Sequence, residues 1–178
     1  KVGKNDKLLP FQTFKGHKQK VISYAKTAGN RILASGSAYG EILIWEMKTG
    51  KLIKKVQHHD KEPIVSLDFS KNGKILISSG SFKNNLILWD VISGKPIKTI
   101  KDKLGWVLEA KYIYDDKFLA TYNKDGVASI WDIEQEKAVY TTQDRYLDII
   151  DIDVQNTKLA FSTRYGEVGV YDIVQKKE

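Results

Sequence analysis

The chain has no cysteine, one methionine, three prolines and three arginines in 178 residues. Without cysteine there can be no disulfide, no thiolate nucleophile and no Cys-ligated zinc. It also lacks any run near the roughly 18 apolar residues that a membrane-spanning helix needs, so membrane insertion is not expected. Its opening, KVGKNDKLLPFQTF, has no apolar stretch of the kind found in secretory signal peptides. Residue 1 is Lys rather than Met, which leaves open whether a targeting segment precedes it. A cytoplasmic or nuclear location is the expectation. No stretch is long and periodic enough to make a good helix.

What is present is globular in balance: 42% hydrophobic and 29% charged residues. A domain of this length can bury about 70% of its unfolded-chain surface. The net charge of +7 is carried almost wholly by lysine, with Arg31, Arg145 and Arg164 as the arginines. The lysines are scattered through turns such as KTGK and SGKP, and the guanidinium forks that suit phosphates and base edges are scarce. A solvated surface is the preferred reading of this charge. Association with RNA or a ribonucleoprotein, and then only indirectly, is the alternative.

Self-similarity is the strongest signal. The stretch SGSFKNNLILWD, ending at Trp89 and Asp90, has relatives in SGSAYGEILIWE ending after Trp45, TYNKDGVASIWD after Trp131 and FSTRYGEVGVYD after Tyr171. From aromatic to aromatic the steps are 44, 42 and 40 residues. Within the second period the β-like runs are IVSLDF, KILISSG, NLILWDV and PIKTI, separated by Gly, Asn, Ser and Lys turns. Four antiparallel strands per repeat, too few to bury both faces alone, are expected to form one blade of a propeller.

Gly16-His17, a strand pair and the WE, WD, WD and YD endings resemble the WD40-repeat family. The resemblance implies an all-β fold, a β-propeller of four-stranded WD40-type blades, with no catalytic residues and no cofactor. The expected limits within a single domain 1–178 are a closing strand at 8–15 and repeats at 16–57, 58–101, 102–143 and 144–178, the last incomplete. Four repeats make a partial propeller or a half-ring. Further blades or a second copy are then needed to close it.

The resemblance also implies a hydrogen-bonded set in each blade: a His, a Ser or Thr, a turn Asp and the Trp indole. Such a set stabilises only when all its members are satisfied. The candidates are His17, Ser35 and Trp45; His59, Ser79 and Trp89; and Thr121, Asp125 and Trp131. Tyr39 and Lys83 stand where the Asp is expected, and Lys103 where the His is. His58, His59 and Asp60 invite a metal reading, but three His without a repeated carboxylate spacing favour a structural one.

In this family, residues before and within each first strand, and before the turn Asp, face partners. Carried over, these are Lys20, Ile22 and Ala38; Pro63, Val65 and Phe82; Trp106, Leu108 and Lys124; and Arg164. Phe82, Trp106 and Leu108 are expected to form an apolar patch flanked by Lys20, Lys124 and Arg164, suited to a protein or peptide with apolar and acidic residues. For Trp106 the competing reading is plain packing between blades. An enzyme on this frame is the least favoured reading, because the carboxylates of DIIDID at 148–153 alternate along a strand without a partner base.

Overall fold

Short apolar runs separated by turn residues fold, repeat by repeat, into separate antiparallel sheets. The computed structural model of the chain describes residues 12–57, 61–81, 85–101, 105–113, 115–142, 147–153, 158–163 and 167–172. For residues 85, 147–153, 158, 159, 161, 163, 171 and 172 it describes the backbone alone.

The first sheet contains β1 (Val21–Lys26), β2 (Ile32–Ser37), β3 (Glu41–Glu46) and β4 (Leu52–Gln57). The second contains β5 (Ile64–Phe69), β6 (Ile75–Gly80), β7 (Asn85–Asp90) and β8 (Pro96–Lys101). β9 (Val107–Ile113), β10 (Phe118–Asn123), β11 (Ala128–Asp132) and β12 (Lys137–Thr141) form the third. The fourth has three strands, β13 (Leu147–Asp153), β14 (Lys158–Thr163) and β15 (Val168–Asp172). Each sheet is ordered as its strands occur in the chain, and among the described residues no sheet closes on itself. The described residues form a partial β-propeller, with three four-stranded blades and a fourth of three strands.

The four runs read in the second repeat are the four strands of the second sheet to within a residue at most ends. Their turns have a physical basis. Gly50 and Gly94, in the turns after β3 and β7, sit at φ 72 and 69, where a side chain would be strained.

The middle strands are buried on both faces. Ile42, Leu43, Ile44 and Trp45 of β3 are all at most 2% exposed, which is why the run before each Trp is continuously apolar rather than alternating. The outer strands β4 and β8 instead show one buried position in a largely exposed row. One core cluster joins Ala34, Ile42, Ile44 and Val56 of the first sheet to Ile64, Leu76, Ile87 and Trp89 of the second. Another joins Leu86, Leu88 and Ile100 of the second to Val107, Tyr112, Leu119 and Trp131 of the third. Burying one such Leu or Ile contributes about 1.5–3 kcal/mol, so these seams dominate stability.

The first strands stand side by side and tie neighbouring sheets together. Ser23 Oγ donates to the carbonyl of Ile64 at 2.6 Å, and the Ala110 amide donates to Ser66 Oγ at 3.2 Å. Of the expected closing strand, residues 12–15 belong to no strand, and residues 8–11 lie outside the described residues. This segment nonetheless packs on the first sheet. The Phe14 ring meets Trp45 edge-on at 5.7 Å, and a Cβ on Gly16 would come within 2.6 Å of the Trp45 indole.

Candidate functional site

Each sheet's first strand carries an irregularity at its start. Val21 pairs with Ser37 and Ser23 with Gly36, so Ile22 is the extra residue of a bulge. Val65 is extra in β5, between Ile64↔Gly80 and Ser66↔Ser79. Leu108 is extra in β9, between Val107↔Asn123 and Glu109↔Tyr122. A bulge bends the strand and re-aims the added side chain. The repeat therefore places Ile22, Val65 and Leu108, 43 residues apart, at one register position in three adjacent strands.

These three line one open cleft of about 560 Å³, together with Tyr24, Leu67 and Tyr122 and the ion pair between Lys111 and Glu109 at 2.9 Å. Ile22 and Leu108 are 38% and 37% exposed, and Tyr24 is 75% exposed. Apolar groups held at a strand bulge and left in water are the feature to explain.

Two residues upstream, just before each strand begins, stand Lys20, Pro63 and Trp106. The Ala38 amide donates to the Lys20 carbonyl at 2.9 Å, and the Lys124 amide donates to the Trp106 carbonyl at 2.8 Å, so the two corners are built alike. The Lys124 ammonium lies 4.4 Å from the centre of the Trp106 ring. Trp106 is half-buried, which accommodates both packing and contact. Phe82 and Arg164 lie outside the described residues. In the fourth sheet the bulge falls at Asp148, between Leu147↔Thr163 and Ile149↔Ser162. The reading of DIIDID as plain alternation missed this backbone position.

The hydrogen-bonded sets differ from expectation in each repeat. In the first, Trp45 Nε1 donates to Ser35 Oγ at 2.9 Å and His17 Nε2 lies 2.7 Å from the same hydroxyl. His17 Nδ1 is 2.9 Å from Glu41 Oε1. Glu41, not residue 39, supplies the carboxylate, and Tyr39 is largely exposed in the turn. Burial alone would raise the Glu41 carboxyl, but the Lys55 ammonium beside it and His17 more than offset this and hold it below the usual range.

In the second repeat the hydroxyl bonded to the indole is that of Ser78, a correction to Ser79. Trp89 Nε1 donates to Ser78 Oγ at 2.8 Å. Trp89 pairs with Leu76, so the serine on its face is two residues on, at 78. Among the described residues, Ser79 Oγ is buried without a hydrogen-bond partner. His59 and Lys83 lie outside the described residues.

In the third repeat Trp131 Nε1 donates to Thr121 Oγ1 at 3.1 Å. Asp125 is corrected out of the set: it is exposed, and its carboxylate accepts no hydrogen bond from the described residues. Asn123 shapes that turn instead, its Oδ1 accepting from the amides of Asp125 and Val127 at 3.0 and 2.9 Å.

One partly buried acid was missed altogether. Asp68 of β5 accepts the Tyr112 amide at 2.9 Å across the second seam. Burial pushes its carboxyl up to about 6, with Asp116 adding to the rise, while the Tyr112 and Phe69 amides and Lys111 work against it. An acid inside the apolar run IVSLDF was the available signal. Among the described residues no three His, Asp or Glu side chains are grouped to hold a metal ion, and no helix is long and apolar enough to cross a membrane.

Comparison with known proteins places this geometry. Residues 9–46 and 50–90 match the family model described as WD domain, G-beta repeat, so these two segments are WD40 repeats. No curated protein sequence matches significantly. Among solved structures, that of U3-55K is similar at a TM-score of 0.78 and 17% identity, over 93% of this chain and 53% of that one. The crystal structure of the RRP9 WD40 repeats is similar at 0.79 and 17%, over 93% and 52%. The chain thus spans about half the length of the structures it matches, and the likeness is one of fold. The matching model is that of a repeat and not of a catalytic family.

Proposed function

We propose that this WD40-repeat chain is a non-catalytic scaffold that binds a partner protein or peptide through the cleft at its first strands, as a subunit of a larger complex. The observation that carries the reading is the convergence of Ile22, Val65 and Leu108 on one open cleft, each aimed by a bulge at the same register. A rigid frame that presents exposed apolar groups from three blades suits an extended segment with apolar side chains. Lys20, Lys124 and Trp106 beside it suit acidic and aromatic neighbours in that segment. Phe82 and Arg164 complete the proposed contact set.

The test is capture of partners by the full chain and by Leu108→Asp and Trp106→Ala. Loss of the captured partner, with unchanged circular dichroism and melting, is the expected result. Retention by both variants would remove the cleft from the account.

A second reading rests on the +7 charge, which would suit a ribonucleoprotein setting, nuclear or cytoplasmic. Binding to RNA that fell steeply with salt and showed no sequence preference would mark it as a backbone effect. Salt-insensitive, sequence-selective RNA binding would instead make RNA the partner itself.

A further inference from the structure

The turns at the far end of the first strands also repeat at 43 residues, so that Thr27 to Arg31 correspond to Ser70 to Lys74 and to 113–117. At the seam between the second and third sheets, a carboxylate fills the notch between two such turns. Both oxygens of Asp116 lie 2.9 Å from the Lys71 amide, and Asp115 pairs with the Lys71 ammonium. Asp116 adopts φ 65, and its counterparts Gly73 and Asn30 adopt 70 and 50, so the three occupy one backbone position.

One seam earlier the same notch holds no carboxylate among the described residues. Gly73 stands where Asp116 does, and Ala28 where Lys71 does. A Cβ on Gly73 would lie 2.9 Å from Thr27 Cγ2, a methyl that Ser70 lacks at the matching place. The side chain is excluded, and a cleft of about 90 Å³ remains, lined by Thr27, Ala28, Arg31, Lys71 and Gly73. The Ala28 amide donates to none of the described residues, and Arg31 forms no ion pair with them.

We propose that this notch is a binding site for a carboxylate from outside the chain, an Asp or Glu side chain of a partner protein. It sits on the Ala28 amide as Asp116 sits on the Lys71 amide, with the Arg31 guanidinium beside it. Backbone amide to carboxylate bonds are charge-assisted, roughly twice as strong as neutral ones. A cleft of this size holds a carboxyl group, a water's share of volume being about 30 Å³, and is too small for a nucleobase. The site lies at the opposite end of the strands from the bulged residues, so it is separate from the cleft proposed above.

The experiment is an amide-resolved NMR titration of the full chain. The probes are sodium acetate, a capped Gly-Asp-Gly tripeptide and inorganic phosphate, each against sodium chloride at matched ionic strength. The Ala28 amide is expected to shift saturably with acetate and with the tripeptide but not with chloride. Arg31→Gln should weaken that response about tenfold. The double variant Thr27→Ser with Gly73→Asp, which copies the second seam, should move the Ala28 signal without ligand and abolish the acetate response. An Ala28 shift that fails to saturate, an acetate response unaffected by Arg31→Gln, or saturation by phosphate alone would overturn the proposal.

Discussion

His17 Nδ1 lies 2.9 Å from Glu41 Oε1, while Nε2 lies 2.7 Å from the Ser35 hydroxyl that also receives the Trp45 indole. The neutral tautomer with its proton on Nδ1 satisfies both contacts, donating to Glu41 and accepting from Ser35. Glu41→Ala leaves a largely buried His without its acceptor and is expected to cost about 1–3 kcal/mol in urea unfolding. Glu41→Gln retains an acceptor and should cost less. The lowered Glu41 carboxyl fixes the sign with pH. Its contribution is present above the ordinary carboxylate value of 4.5 and is lost as pH falls through the lower folded value.

Asp68 has the opposite sign. Its carboxyl titrates at about 6 in the fold against 3.8 unfolded, so the native state binds the extra proton between these values. Stability therefore falls as pH rises through that window, and the cost is complete above it. Asp68→Asn keeps an acceptor for the Tyr112 amide while removing the charge. It is expected to raise stability at pH 7 by about 1–3 kcal/mol and to flatten the pH dependence between about 4 and 6. Thermal melts of both proteins across that range check it.

Ser78 and Ser79 are neighbours with opposite expectations. Ser78→Ala removes the acceptor of the Trp89 indole and is expected to destabilise by about 1–2 kcal/mol. Ser79 Oγ is buried without a partner among the described residues, so Ser79→Ala should be neutral or stabilising. Equilibrium unfolding of the two single variants decides the register of the second repeat.

Gly16→Ala would place a methyl 2.6 Å from the Trp45 ring. The ring is held by Ser35 on one side and packed against Phe14 on the other. A loss of about 1–3 kcal/mol is expected from this overpacking, read as a lower urea midpoint.

The period of about 43 residues made most of the architecture readable. KILISSG and NLILWDV became β6 and β7 because a continuous apolar run before the Trp has one explanation, burial on both faces. The serine assignment failed within the same run. Two adjacent serines cannot be told apart by spacing when the shift at stake is one residue, and only the pairing of Leu76 with Trp89 shows which face each takes. Glu41 escaped because the carboxylate was sought in the turn at Tyr39, whereas the first residue of β3 reaches the same histidine. Asp125 was placed by pattern alone, in a repeat with no histidine to hold it. Ile22, Val65 and Leu108 were picked out as contact positions, but the bulge that aims them leaves no trace in composition. It emerges only when paired residues on either side are found to skip one.

The convergence of those three residues is the centre of the account, and Leu108 is its most exposed test. Partner capture by the full chain should be compared among wild type, Leu108→Asp and Ile92→Asp, the last a residue 78% exposed in the turn after β7 and away from the cleft. The account predicts that Leu108→Asp abolishes capture while Ile92→Asp leaves it intact, with all three proteins folded by circular dichroism. Undiminished capture by a folded Leu108→Asp would contradict it.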